Sequence, residues 1–123
     1  MRLVLPNGRE LSYVKPAIVE DNITYEGSIQ TSGNWGRIES YGPKLVENIV
    51  QAVARDCLAE AMFRLEANGF PVVFHVHDEV ICEVEEGRSS AKELGALMAE
   101  PIDWAPGLPL KADAYECEYY RKD

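Results

Sequence analysis

The alternation of apolar and polar residues predicts an α+β fold that begins with a β-rich segment. Residues 2–5 and 10–14 are β-prone runs on either side of an Asn-Gly pair, a strong short-range signal for a hairpin. Residues 17–19 and 23–25 flank a second polar turn in the same way. Residues 27–36 are rich in Gly, Ser, Thr and Asn, which predicts a loop.

A helical pattern follows and predicts one long helix over residues 43–68. Pro43 suits the first position of a helix, and Gly69 suits the position just past its end. Apolar residues recur at steps of three and four and would form one wide core-facing side. These residues are Val46, Ile49, Val50, Val53, Cys57, Leu58, Ala61, Met62 and Leu65. Such a helix is near 40 Å long at about 1.5 Å per residue, so we expect it to project or to pack against something else.

The second half of the chain predicts a hairpin, a short helix and a last strand. Residues 72–84 alternate on both sides of His77-Asp78-Glu79, which predicts two strands joined at that tripeptide. In the first strand one face would carry Val72, Phe74 and Val76. Ser90 followed by Glu93 forms a capping box ahead of a short apolar helix. Alternation over residues 110–115 predicts a final strand.

Together these elements predict a small antiparallel β-sheet, containing the central hairpin, packed on one long and one short α-helix. The length of 123 residues predicts a single domain, 1–123, with a β-rich segment at 1–40 and the main core at 41–123. Hydrophobic residues at 46% and charged residues at 27% are typical of a globular chain. No apolar run approaches the ~20 residues that span a bilayer, and no signal peptide is visible, so a cytoplasmic protein without membrane contact is expected.

The net charge and the cysteines limit which classes of binding site the chain can contain. The formal net charge is -9, so the chain has no global electrostatic footprint for nucleic acid. It could contact DNA through a local stripe, or as part of something larger that supplies the cations. Three widely spaced cysteines without a CxxC pair predict free thiols in a reducing compartment, and not a disulfide framework or a zinc site.

The tip of the central hairpin is the candidate for chemistry. Tight hairpin turns favour glycine, but this one places His77, Asp78 and Glu79 at the end of an apolar ribbon. Sequences usually depart from local rules at functional or strained sites. Adjacent carboxylates repel each other unless they are solvated or hold a cation. The alternatives are a solvated acidic turn, or a transition-metal site for hydrolysis formed by His75, His77 and Asp78.

The residues around this tip resemble a known family. Residues 76–80, Val-His-Asp-Glu-Val, follow a helix that contains Gln-Ala-Val-Ala-Arg-Asp at 51–56. This combination resembles the C-terminal end of the palm of family A DNA polymerases, the class of bacterial DNA polymerase I. Residues 41–52 look closest to its phage and prophage branch. The likeness is tight over about residues 40–85 and extends loosely to both ends.

The resemblance implies a set of catalytic and metal-binding roles. Asp78 would match the second metal-binding aspartate of the palm, and Glu79 the neighbouring carboxylate, with Mg²⁺ as the cofactor. His77 would lie against the primer terminus, and Gln51 would contact the minor groove of the nascent pair. The metal-binding roles agree with the chemistry of phosphoryl displacement. In that reaction two Mg²⁺ ions, held by carboxylates, stabilise the attacking and leaving oxygens.

Helical spacing adds a predicted DNA-binding stripe. Lys44, Asn48, Gln51 and Arg55 fall on one side of the long helix, opposite its apolar side. Two cations and two amides in line could follow a duplex, although an ordinary solvated face is the alternative. The family usually has an asparagine four residues before the glutamine, where this chain has Glu47.

Other family motifs are absent from the chain: the first catalytic aspartate motif, Asp-Tyr-Ser-x-x-Glu, and the fingers helix. We therefore interpret the chain as the C-terminal palm portion of a template-directed DNA polymerase, inactive alone and binding Mg²⁺ weakly or not at all. Its partners would be primer-template DNA, dNTPs and the remaining polymerase domains. The alternative is a stand-alone, non-catalytic interaction module derived from a palm. Uncovered apolar surface predicts a homodimer through helix 43–68 or an edge strand.

Overall fold

A computed structural model describes residues 1–122, and Asp123 lies outside the described residues. The predicted α+β class is confirmed, although the strands form three small antiparallel sheets instead of one. The elements of the described residues are β1 (Arg2–Val4), β2 (Glu10–Ser12), β3 (Val14–Val19), β4 (Asn22–Ser28), β5 (Trp35–Ser40), α1 (Gly42–Ala67), β6 (Val72–Val76), β7 (Glu79–Cys82) and α2 (Ala91–Met98).

The chain divides into two compact units, Met1–Val53 and Ala54–Asp123. Nothing in this division tests the predicted single domain, which stays a prediction. No helix of the described residues is long and apolar enough to cross a membrane.

Both predicted hairpins of the first unit are confirmed. β1 and β2 pair across a turn in which the Leu5 N–H donates to the Arg9 carbonyl at 2.7 Å and Gly8 has a φ of 88°. β3 and β4 are joined by Glu20 and Asp21, with φ values of 50° and 64°. Two consecutive positive φ angles are the mark of the type I′ hairpin turn.

The predicted loop at residues 27–36 is wrong at both ends. β4 continues to Ser28 and β5 begins at Trp35, with Gly27 paired to Gly36. Both positions are occupied by glycine because a neighbouring side chain fills the space that a Cβ would take. A Cβ on Gly36 would lie 2.8 Å from Cδ1 of Ile29. Glycines that favour a turn by composition are used here for close packing between strands.

Helix α1 confirms the predicted helix and its predicted end. Gly69 has a φ of 82°, and its N–H donates to the Glu66 carbonyl at 3.3 Å. The Phe70 N–H donates to the Leu65 carbonyl at 3.0 Å. This pair of bonds is the Schellman motif, and the residues that usually pack across it, Leu65 and Phe70, are both buried.

The predicted apolar side of α1 is only partly buried. Leu58, Ala61 and Leu65 belong to the core of the second unit. Val46 and Val50 were predicted as core residues, but they are 58% and 61% exposed. Within the first unit, the described residues provide no element that covers these two side chains.

In the second unit β6 and β7 form the predicted hairpin, but the predicted face of β6 is wrong. The pairs are Val72 with Cys82, Phe74 with Ile81, His75 with Val80, and Val76 with Glu79. Two residues of β6 therefore stand opposite one residue of β7, which is a β-bulge at Val73. Because of the bulge, Val72 shares a face with His75, while Phe74 and Val76 share the other.

The short helix α2 is confirmed, whereas the predicted strand at 110–115 is wrong. Ser90 caps α2 by accepting a hydrogen bond from the Glu93 N–H. The segment at 110–115 pairs with no strand among the described residues. It packs on α2 instead: a Cβ at Gly95 would lie 3.5 Å from the Ala112 carbonyl oxygen and 3.7 Å from Cβ of Ala114. Alternation in this segment thus reflects contact with a helix.

Candidate functional site

The tip of the β6–β7 hairpin is a two-residue loop formed by His77 and Asp78. It lies between the paired residues Val76 and Glu79. His77 has a φ of 51°, whereas Asp78 has no positive φ. Among tight hairpin turns, type II′ has positive φ at the first loop residue alone and normally has glycine there. A histidine in this conformation costs on the order of 1 kcal/mol, so the sequence keeps a strained residue at the tip.

Among residues 1–122, the carboxylates of Asp78 and Glu79 have no protein partner. Asp78 is exposed and Glu79 is half-buried at the start of β7. Within residues 1–122, neither carboxylate forms a hydrogen bond or an ion pair, and neither does the ring of His77. Their oxygens are therefore open to water or to a cation, while the paired strands fix the backbone beneath them.

These two carboxylates suit Mg²⁺ in type but cannot enclose it. Mg²⁺ prefers oxygen ligands and is commonly held by one or two carboxylates plus waters and substrate phosphates. No group of three or more His, Cys, Asp or Glu side chains in the described part of the chain could hold a metal ion. The alternative transition-metal cluster of His75, His77 and Asp78 is therefore not assembled. The predicted magnesium role of Asp78 and Glu79 stays a prediction.

His75 and Arg55 form a contact within the second unit. Nη1 of Arg55 lies 3.1 Å from Nδ1 of His75, and Nη2 lies 3.4 Å from Nε2. Both side chains are exposed. The bulge at Val73 sets the face of β6 from which His75 reaches Arg55. Arg55, a predicted phosphate contact, is thus held by a side chain from the hairpin.

Glu47 links two of the predicted DNA-binding residues in the first unit. Nζ of Lys44 lies 3.0 Å from Oε2 of Glu47, and Nε2 of Gln51 donates to Oε1 of Glu47 at 3.1 Å. The carboxylate raises the pKa of Lys44 above its ordinary value, chiefly through this hydrogen bond and then through its charge. Lys44, Glu47 and Gln51 are all exposed on one side of α1.

Asn48 is used differently from the other residues of the predicted stripe. Its Nδ2 donates to the hydroxyl of Tyr13 at 3.1 Å, and the side chain is half-buried. Tyr13 is buried and packs edge-to-face on Tyr25 at 5.0 Å between ring centroids. The Asn48 amide therefore supports the first unit, and its predicted DNA contact would require it to leave this partner.

Sequence reasoning missed the contacts of Glu47 with Lys44 and Gln51 and the contact of His75 with Arg55. The signal for Glu47 was present, because it lies three residues after Lys44 and four before Gln51, the spacings at which helical side chains meet. His75 carried no such signal, since its face depends on the bulge at Val73.

Comparison with known proteins relates the chain to a phage protein. The chain is 50% identical over 125 residues to the DNA polymerase of Bacillus phage SP02. This match covers 97% of the chain but 19% of that polymerase, so the chain spans about a fifth of its relative's length. No family model matches the chain, and no solved structure matches it. The chain is therefore similar, over nearly its whole length, to one segment of a phage DNA polymerase.

Proposed function

We propose that the chain is the C-terminal palm portion of a family A, template-directed DNA polymerase, and that it supplies one carboxylate site for nucleotidyl transfer. The observation that carries the proposal is the unpartnered Asp78–Glu79 pair on a two-residue hairpin loop. The similarity to the phage SP02 DNA polymerase supports it.

In this proposal the chain's own residues hold and orient the reacting groups. Asp78 and Glu79 would hold Mg²⁺, which when bound stabilises the charge that develops on phosphate oxygens. The strands β6 and β7 fix the position of both carboxylates, and no protein cation competes for them among the described residues. His77, the other loop residue, would lie against the primer terminus.

The exposed polar side of α1 would contact the duplex. Every base pair offers acceptors at equivalent positions in the minor groove, so the Gln51 amide could test pair geometry without reading sequence. Lys44 and Arg55 would contact phosphates, which carry no sequence information. These side chains supply a local source of donors in a chain with a net charge of -9.

A grafting experiment tests the proposal. The corresponding segment of the phage SP02 DNA polymerase is replaced by this chain, and primer extension is measured with Mg²⁺ and dNTPs. We expect the graft to extend primers and Asp78→Ala to reduce the rate by at least about 100-fold, since a metal ligand stabilises transition-state charge by several kcal/mol.

The control for this graft is Asp113→Asn, which removes a carboxylate that is 88% exposed and lies beside Lys111. It should leave primer extension unchanged. An Asp78→Ala graft that remains as active as the unaltered graft would refute the catalytic role. An inactive graft that still binds the remaining polymerase segments would favour the non-catalytic interaction module.

The isolated chain should not extend a primed template. Phosphoryl transfer through two metal ions needs carboxylates at two positions, and the described residues bring no second group to the hairpin tip. A gel assay of primer extension checks this. Extension by the isolated chain that Asp78→Ala abolishes would mean that the second ligand comes from this chain.

A further inference from the structure

We propose that Glu47 is a positioning residue that fixes the orientation of the Gln51 amide, and that Lys44 anchors Glu47 for this purpose. The inference rests on the proposed function of Gln51 as a minor-groove donor. It adds Glu47 to that function and couples Lys44 to Gln51 through the Glu47 carboxylate.

The first step is that Glu47 selects one of the two amide orientations of Gln51. An ionised carboxylate only accepts hydrogen bonds. Nε2 of Gln51 therefore faces Oε1 of Glu47 at 3.1 Å, and the amide oxygen of Gln51 faces away. A rotation of the amide by half a turn would bring two oxygens together and is disfavoured by their repulsion.

The second step is that Lys44 holds the carboxylate itself. The Lys44 ammonium binds Oε2 at 3.0 Å, so each oxygen of Glu47 has its own partner. The intervals of three and four residues along α1 allow both contacts from one helical side. Asn48, three residues before Gln51, does not take this role because its amide donates to Tyr13.

The third step is that Gln51 and Lys44 keep free N–H donors for contact with DNA. The Gln51 amide has two N–H groups, and one remains free to donate after the bond to Glu47. A side chain that is already oriented loses less conformational freedom on binding. The Lys44 ammonium likewise keeps two of its three donors for a phosphate.

The exposure of Lys44 and Glu47 limits how much their contact can change the rate of primer extension. The Lys44 and Glu47 side chains are 47% and 48% exposed, and exposed contacts of this kind are weak. We therefore expect a change of about two- to fivefold, and not the loss of activity expected for Asp78→Ala.

The contact is tested first in the isolated chain by NMR. Glu47→Gln should lower the pKa of Lys44 towards the ordinary lysine value and shift the side-chain amide signals of Gln51. Glu60→Gln is the matched control, because Glu60 is an exposed residue of α1 that forms no hydrogen bond or ion pair within residues 1–122. Unchanged Lys44 and Gln51 signals in Glu47→Gln would overturn the proposal.

The role is then tested in the grafted polymerase. Glu47→Ala should lower kcat/KM for extension of a matched primer terminus by about two- to fivefold with an unchanged melting temperature. Glu47→Gln can donate as well as accept and lacks the charge that Lys44 binds, so it should recover only part of this loss. In a Gln51→Ala background, Glu47→Ala should have no further effect, because no amide remains to be oriented.

An equal loss from Glu47→Ala in both backgrounds would overturn the proposal, since the effect would not pass through Gln51. If Gln51→Ala itself changes nothing, the positioning role fails with it. Such a failure is distinguishable from failure of the proposed polymerase function, because Asp78→Ala would still reduce extension by the graft by at least about 100-fold.

Discussion

At the scale of single residues, His77 combines a strained backbone with a proposed functional role. Left-handed φ at a non-glycine residue costs on the order of 1–2 kcal/mol, and the described residues show it at Lys15, Glu20, Asp21 and His77. Glu20 and Asp21 form an ordinary turn far along the chain from the carboxylates. His77 stands directly before Asp78, so the strained position adjoins the proposed metal ligands.

Replacing His77 by glycine should separate strain from function. We expect His77→Gly to raise the free energy of unfolding by about 0.5–1 kcal/mol, because glycine tolerates positive φ at little cost. Urea unfolding measures this change, and the graft measures primer extension, which should fall. The matched control is Glu20→Gly, whose φ of 50° is nearly the same, and which should stabilise without changing extension. A neutral or destabilising His77→Gly would show that the turn is not strained.

The three cysteines differ in their exposure to solvent. Burial, and then the charge of Glu66, raises the pKa of Cys82, and burial raises that of Cys57, whereas Cys117 is exposed. At pH 8 we expect a thiol reagent to modify Cys117 first, with the order abolished in denaturant. The pKa values of Cys57 and Cys82 are higher in the folded protein than in the unfolded chain. Their contribution to the free energy of unfolding is therefore fully present below the unfolded pKa of about 8.5, and it is lost as the pH rises through the folded pKa values. Cys82 reacting as fast as Cys117 would contradict this assignment.

At the scale of elements, α2 is held at both ends by side chains from elsewhere in the second unit. At its start, Ser90 accepts from the Glu93 N–H and Glu116 accepts from the Ala91 N–H. At its end, Arg64 donates to the carbonyls of Leu97, Glu100 and Pro101. Negative groups at the start and a cation at the end both complement the helix dipole, so a helix of eight residues is stabilised from outside.

Removing the Arg64 guanidinium should therefore loosen α2. We expect Arg64→Met to lower the free energy of unfolding by about 1.5–3 kcal/mol, as for hydrogen bonds to a charged group, while keeping the aliphatic stem. Urea unfolding checks the total, and amide hydrogen exchange should show the loss in α2. Arg88→Met, which removes a 74% exposed partner of Glu85, is the control and should change stability by under about 0.5 kcal/mol. An equal effect of both variants would contradict the capping role.

Elements with local signals could be predicted from the sequence, and those set by packing could not. The Asn-Gly turn, the end of α1 at Gly69 and the Ser90 cap each depend on residues close together in the chain. The β5 strand, the bulge at Val73 and the coil at 110–115 depend on partners from other segments. For the same reason the residues of the carboxylate tip could be named in advance, but the contact of His75 with Arg55 could not.

At the scale of the whole molecule, the predicted self-association stays a prediction. Val46 and Val50 leave apolar surface exposed on α1, and contiguous apolar patches on small domains often mark contacts with other chains. We expect sedimentation to show a dimer that forms as the concentration rises, and Val46→Ser with Val50→Ser to weaken it. Glu60→Ser, which changes an exposed polar residue of the same helix, is the control. A strictly monomeric chain up to high micromolar concentration would contradict the prediction.

The bulge in β6 also has a consequence for how the length of this chain can vary. A one-residue deletion in a regular strand moves every later side chain to the opposite face. Val73 is the extra residue of a bulge, so its deletion would leave Phe74 opposite Ile81 and His75 opposite Val80. Related chains can therefore differ by one codon at this point and still present the same histidine to α1 and the same two carboxylates at the turn. An alignment gap at Val73 leaves the pairing register of the hairpin unchanged. A gap between His75 and Glu79 would instead remove part of the candidate site at the hairpin tip.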